Sequence, residues 1–159
     1  MSQYIHFFIR HNDTFLPIAT YCRSSYIYQT LIDDAPYERV TPMYKQWVLS
    51  IIDEMHTDIS RYKESIERLE EEKLLVKDFN NSVEDKIENI NYLQESIDEY
   101  NELLVEINAA VCFMYNIYDM LEEARDTKYD SDNPSWLDED KYVYVGIECY
   151  RPTINDIKE

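Results

Sequence analysis

Between residues 83 and 121, apolar side chains recur at alternating steps of three and four, and most acidic side chains avoid those positions. This spacing lines up one side of an α-helix and buries it against a neighbouring helix. The sequence therefore predicts a coiled-coil helix as the central element of the chain. Its apolar positions are Val83, Ile90, Leu93, Ile97, Tyr100, Leu104, Ile107, Val111, Met114, Tyr118 and Leu121.

A second long helix is predicted earlier in the chain, from Thr41-Pro42 to about Phe79. A threonine oxygen can cap free N–H groups, and proline fits the first helical turn. Asn80 and Asn81 interrupt the apolar pattern, and Ser82 then resembles the start of a capping box for the next helix. Because a short connection favours antiparallel neighbours, the two helices should form a long antiparallel coiled-coil helical hairpin.

Alternation of apolar and polar residues predicts strands at 4–10, 15–21 and 142–150. Pro17 lacks a backbone N–H, so the second strand should lie at a sheet edge or contain a bulge. The predicted fold class is α+β, with the helical hairpin packed on a small three-stranded antiparallel sheet.

The length of 159 residues and a hydrophobic content of 45% predict a single domain over residues 1–159. Residues 43–55 and 105–121 are apolar nearly all round, whereas the helical residues between them keep only a narrow apolar stripe. We therefore expect a globular head built from 1–55 and 105–159, and a helical stalk from 56–104. Residues 130–140 are predicted to form an acidic loop.

Acidic residues dominate the chain, whose formal net charge is −18. Residues 80–127 contain twelve acids and two bases, and most of these acids fall on outer heptad positions. Such a face can simply be solvated, or it can bind a basic protein. The second hypothesis places the partner-binding residues at Glu88, Glu95, Asp98, Glu99, Glu102 and Glu106. The same charge disfavours direct binding to nucleic acid.

An alternative site lies on one face of the predicted sheet and near the first short helix. Aromatic rings and arginines there could stack on a base and hold a phosphate. The candidate ligand-binding residues are Tyr4, His6, Arg10, Arg23, Tyr142 and Tyr144. The same face could instead contact another subunit or pack under local loops, and the residues around Arg23 could be an ordinary helix cap.

The sequence predicts no enzymatic activity, no cofactor and no metal. Its single glycine, Gly146, excludes glycine-rich phosphate loops, and no histidine or cysteine pair has a ligand spacing. Three widely spaced cysteines in apolar surroundings predict buried free thiols in a reducing compartment. Neither a leader nor an apolar run of membrane-spanning length is seen, so we expect a cytoplasmic protein that does not enter a membrane.

In size, acidity and scarcity of glycine, the chain resembles the small accessory proteins of bacteriophages, including those of the anti-CRISPR type; no motif carries this resemblance. It implies an inhibitor that acts in the host cell cytoplasm by obstructing a basic nucleic-acid-binding defence protein. Two alternatives remain open, namely an oligomer that sequesters a small nucleotide signal and a structural coiled-coil scaffold. We also expect the protein to form a homo-oligomer.

Overall fold

The computed structural model describes residues 3–126 and 142–158, so the predicted acidic loop at 130–140 lies outside the described residues. The protein is α+β, with a four-stranded antiparallel sheet and two long helices. The described residues form two compact units, one of 3–53, 112–126 and 142–158 and one of 54–111. The strands and α-helices are β1 (Tyr4–His11), β2 (Thr14–Cys22), α1 (Tyr26–Leu31), β3 (Thr41–Pro42), α2 (Lys45–Leu75), α3 (Val83–Asp126) and β4 (Val143–Ile147).

The sheet has four strands in the order β2-β1-β4-β3, so the prediction of three strands was wrong. The additional strand is Thr41–Pro42, which the sequence had suggested as the start of a helix. These two residues pair with β4, and the Met43 amide donates to the Val143 carbonyl at 2.8 Å. A partner about a hundred residues away therefore decides the local conformation, and α2 begins only at Lys45.

The edge position of β2 confirms the prediction made from its proline. Pairing of β1 with β2 shifts register between Phe7 and Phe8, where Pro17 lies opposite Phe8. A strand at the edge tolerates the missing N–H because only one of its sides is hydrogen-bonded. Asn12 in the connecting turn has φ of 56°, a conformation that asparagine adopts more readily than most residues.

The inner face of the sheet forms part of the core in the first unit. Ile5, Phe7 and Val145 are fully buried on this face. The ring of Phe113 from α3 packs edge-on against Phe7 and Tyr21, with centroid distances of 4.9 and 5.3 Å. These contacts fix β1, β2 and α3 to one another through aromatic packing.

The opposite face of the sheet is covered, in its central part, by other segments of the same chain. Phe8 and Tyr144 are 1% exposed and pack with Val40 and Cys149, while Ile157 adds a partly buried contact. A Cβ atom at Gly146 would collide with the backbone carbonyl of Arg39. Of the three possibilities for this face, packing under local segments therefore describes its centre.

The long helices bury most of the apolar positions that the sequence indicated. In α3, Leu93, Ile97, Leu104 and Ile107 are at most 9% exposed. Val83 is 72% exposed, because it is the first residue of the helix and lies beyond the part that is packed. The first long helix ends at Leu75, and a short 3-10 helix, Val76–Asp78, follows it.

The cysteines differ from the prediction of three buried thiols. Cys149 is buried, but Cys22 and Cys112 are exposed. Cys22 lies at the end of the edge strand β2, where one side of the chain meets solvent. Cys112 lies in a part of α3 whose sequence is mostly apolar, but its side of the helix is exposed to solvent.

Within residues 3–126 and 142–158, no helix is long and apolar enough to cross a bilayer.

Candidate functional site

The six acidic residues predicted to bind a partner, Glu88, Glu95, Asp98, Glu99, Glu102 and Glu106, are all exposed on α3. They are called the acidic face below. Their exposure follows from the helix period, because burial of Leu93, Ile97 and Leu104 directs the intervening positions outward.

Four members of the acidic face have no basic partner within the described part of the chain. Glu88, Glu95, Glu99 and Glu102 make no ion pair there, and the ion pairs of α2 use other acids, such as Asp58 with Arg61 at 2.8 Å. Neighbouring glutamates three or four residues apart repel each other by about 0.2–0.5 kcal/mol per pair. The acidic face therefore carries an electrostatic cost in the free protein that a cationic partner would relieve.

Lys73 of α2 makes a hydrogen bond to α3 near the acidic face. Its ammonium donates to the Gln94 side-chain oxygen at 2.7 Å and lies 3.7 Å from Glu70. Gln94 in turn donates from its amide nitrogen to Asp98 at 2.9 Å. The lysine thus contacts α3 through an amide, and Asp98 is held in place without being neutralised.

Arg10, a residue of the alternative ligand site, is engaged by its own chain. Its guanidinium donates to the Tyr144 hydroxyl at 3.0 Å and to the Asn12 carbonyl at 2.6 Å. It also lies about 6 Å from the ring centroids of Phe15 and Tyr144, a distance typical of cation–π contacts. The structure therefore brings Arg10 and Tyr144 together, as the sequence predicted for a ligand site. Their contacts, however, are with each other and with the turn between β1 and β2, and stabilise that end of the sheet.

His6 lies near the other end of the same sheet face and is 6% exposed. Its Nδ1 atom is 3.0 Å from the Thr20 hydroxyl, while its Nε2 atom has no hydrogen-bond partner among the described residues. The Tyr150 ring packs edge-on at 4.5 Å. Burial lowers the pKa of His6, and the nearby Glu148 carboxylate opposes this shift only in part.

Glu148 connects the strands around His6, a role that the sequence did not suggest. One carboxylate oxygen accepts from the Tyr4 amide at 2.6 Å, and the other accepts from the Tyr150 hydroxyl at 2.8 Å. The hydrogen bond to Glu148 raises the pKa of Tyr150. Glu148 has φ of 54°, and β4 ends just before it, at Ile147. The predicted strand at 142–150 rested on alternation of apolar and polar residues, which does not reveal a residue with positive φ.

Arg23 lies in the turn before α1, and the geometry there is that of a helix cap. The Ser25 hydroxyl accepts from the Tyr28 amide at 3.2 Å and donates to the Cys22 carbonyl at 2.6 Å. The serine hydroxyl that could have contacted a phosphate is thus used inside the chain. Tyr142 is half-buried just before β4. Arg23 itself is exposed, and no contact joins it to Tyr4 or His6 in the described residues.

Within the described ranges, no three histidine, cysteine, aspartate or glutamate side chains come together in a group that could hold a metal ion. The described sites therefore consist of an exposed anionic helix face and an internally bonded aromatic sheet face. No protein-family model, curated protein or solved structure matches this chain.

Proposed function

We propose that this protein is a non-enzymatic inhibitor that binds a basic, nucleic-acid-binding protein through the acidic face of α3. The observation that carries the proposal is the exposure of Glu95, Glu99 and Glu102, none of which has an ion-pair partner in the described residues. A field of one sign speeds encounter with an oppositely charged surface and fixes its orientation. Bound in this way, the protein would cover the partner's phosphate-binding surface.

The charge spacing favours contact with a patch of the partner. The twelve acids of 80–127 give roughly one charge per 5 Å along a helix that rises ~1.5 Å per residue. Duplex DNA carries one charge per ~1.7 Å. A single acidic face therefore matches a limited group of lysines and arginines, and the expected homo-oligomer would increase the charge that a partner meets.

We further propose that α2 and α3 form an antiparallel coiled coil in residues 54–111, which keeps the acidic face straight. Supporting contacts are the Tyr62 and Tyr100 rings, 5.5 Å apart, and the hydrogen bond from Lys73 to Gln94. Residue numbers rise along α2 and fall along α3 from the first contact to the second. Buried Ile97 and Leu104 supply the apolar seam.

Charge reversal tests the proposed function. Reversal of four acids to lysine, at Glu95, Glu99, Glu102 and Glu106, should abolish binding to the partner while far-UV circular dichroism still shows the same helicity. The matched control reverses four exposed acids of α2 and so changes the net charge equally. These are Glu54, Glu64, Glu67 and Glu71.

The assay begins with a stoichiometric partner recovered from a nuclease-treated bacterial lysate, whose binding to labelled duplex DNA is then measured. The protein and the α2 control should displace the DNA, and the α3 variant should not. Displacement of the DNA by the α3 variant would refute the proposal and would indicate that the partner binds the sheet instead. The association rate should also fall with added salt, because the Debye length shrinks to ~8 Å at physiological ionic strength.

The nucleotide-sequestering alternative receives less support from the geometry. Arg10 already bonds Tyr144 and Asn12, and Ser25 already caps α1. A base or phosphate would have to displace these contacts. Loss of nucleotide affinity in an Arg10→Ala or Arg23→Ala variant would nevertheless support that function, and self-association with no other partner would support the scaffold.

A further inference from the structure

A recess with a volume of about 500 Å³ lies where the end of α2 faces the beginning of α3, within residues 54–111. Its walls combine aromatic and aliphatic side chains with the polar side chains of Asn81, Asn89 and Ser96 and with one carboxylate, that of Glu72. It is called the tip recess below. The apolar and aromatic residues that line it are Leu69, Phe79, Tyr92, Leu93 and Tyr100.

Two aromatic side chains that line the tip recess are unusually exposed. Tyr92 is 70% exposed and Phe79 is 42% exposed, although both line the recess. Other exposed apolar residues from the same stretch are Leu74, Leu75, Val83 and Ile87. Single apolar side chains on a surface need no explanation, but exposed aromatic side chains that line a recess are typical of an interaction site.

The charge around the tip recess identifies the kind of occupant. Residues 70–102 contain eleven acids and three lysines. Two of the lysines are engaged locally, since Lys73 bonds Gln94 at 2.7 Å and Lys86 donates to the Lys77 carbonyl at 2.8 Å. An apolar occupant that also carries positive charge therefore complements this surface, whereas an anionic lipid surface or a second copy of this acidic chain meets repulsion.

We propose that the tip recess is the anchor subsite for a large apolar or aromatic side chain on a basic segment of a partner protein. The anchor fills the space between Phe79 and Tyr92, and lysines or arginines of the same segment approach Glu72 and the acidic face. This inference rests on the proposed binding of a basic partner. It adds an apolar contact whose effect can be measured separately from the effect of charge.

Two synthetic peptides of equal positive charge test the inference. Each is a basic helix of about 18 residues, or about five turns. The first carries tryptophan and leucine on one face, and the second carries serine at the same places. Titration calorimetry at one fixed ionic strength compares their affinities for the protein. We expect the first peptide to bind at least about tenfold more tightly, because burial of a large apolar side chain is favourable.

Protein variants assign that preference to the tip recess. The double variant Phe79→Ala with Tyr92→Ala should lose most of the difference between the peptides, while both peptides keep their charge-driven binding. Val105→Ala is the matched control, because Val105 is 72% exposed on α3 and does not line the recess. Helicity of both variants is checked by circular dichroism, and Tyr92→Ala alone replaces the double variant if the latter unfolds.

The outcomes separate this inference from the proposed function. Equal binding of the two peptides to the unmodified protein, or a preference that survives in the alanine variants, overturns the anchor subsite. Reversal of the four α3 acids should weaken both peptides alike; if it does not, the acidic face fails while the peptide difference still reports on the recess. A self-associated protein that Tyr92→Ala converts to monomers would show that a second copy occupies the recess, which also overturns the inference.

Discussion

The substitution Gly146→Ala should destabilise the protein strongly, although it adds one methyl group. The new Cβ would collide with the Arg39 carbonyl oxygen and lie 3.1 Å from a Val40 methyl carbon. Movement of the Arg39 backbone would cost free energy, because hydrogen bonds hold the residues before it. The Ile147 amide donates to the Pro36 carbonyl at 2.8 Å, and the Glu38 amide donates to the Ile147 carbonyl at 2.7 Å. On the other side, Val40 exchanges hydrogen bonds with Asp156 and Lys158 at 3.0 and 2.7 Å.

The expected loss follows from these contacts. Overpacking of a well-packed interior costs about 1–3 kcal/mol. Displacement of the 36–40 segment also strains or breaks two hydrogen bonds of Ile147, each worth about 0.5–1.5 kcal/mol. The free energy of unfolding should fall by about 2–6 kcal/mol, a large part of the roughly 5–15 kcal/mol typical of a domain.

Urea unfolding followed by far-UV circular dichroism measures this loss. With a slope of about 2 kcal/mol/M, the midpoint should fall by roughly 1–3 M. Adding Arg39→Gly should not restore the midpoint, because the colliding atom belongs to the backbone. An unchanged midpoint in Gly146→Ala, or rescue by Arg39→Gly, would refute the packing argument.

Two further predictions concern titratable groups. Burial holds the pKa of His6 in the folded protein below its ordinary value of 6.5. The neutral imidazole therefore stabilises the folded state fully above pH 6.5. This stability is lost as the pH falls below 6.5, by at most ~1.4 kcal/mol per pH unit. A His6→Phe variant should lack this component in urea titrations between pH 7 and about 5. Hydrogen bonding to Ser24 lowers the pKa of the exposed Cys22 thiol, whereas burial raises the pKa of the Cys149 thiol. Iodoacetamide should therefore modify Cys22 first and Cys149 only after unfolding, and Ser24→Ala should slow the reaction at Cys22.

Each of these two predictions has a clear opposing result. Parallel pH profiles for the native protein and His6→Phe would mean that another group controls acid stability. Modification of Cys149 at the same rate as Cys22, measured by peptide mass spectrometry, would contradict the burial of Cys149. An unchanged rate in Ser24→Ala would show that the 3.1 Å contact between the Cys22 sulfur and the Ser24 hydroxyl does not activate the thiol.

Local patterns in the sequence predicted much of the secondary structure. Alternation identified β1 and β4, and the helical period identified the buried positions of α3, because both signals depend on which side of one element meets the core. Ser82 was correctly predicted to cap the start of α3, since its hydroxyl accepts from the Asp85 amide at 3.2 Å, which is one of the two hydrogen bonds of a capping box. Pairing between distant segments could not be read in this way, so Thr41–Pro42 was assigned to a helix although it forms β3.

For the candidate sites too, features that depend on one helix were predicted, and features that depend on contacts between distant segments were missed. Exposure of the acidic face followed from the helix period, and the structure agrees for all six residues. The sheet face that was proposed to bind a ligand is covered near Gly146 by the Arg39 backbone, a contact that the sequence did not indicate. The link from Glu148 to Tyr4 and Tyr150 was also missed, because it depends on a residue with positive φ just past the end of β4.

The central position of β1 has a consequence for how the protein folds during synthesis. Its partners on one side belong to β2, which follows at once, but those on the other side belong to β4, which begins only at Val143. Until the ribosome has made β4, one edge of β1 has unpaired backbone groups beside Phe7 and Phe8, an arrangement prone to aggregation. Both long helices are synthesised in that interval, so the sheet can be completed only after the residues of both helices have been made.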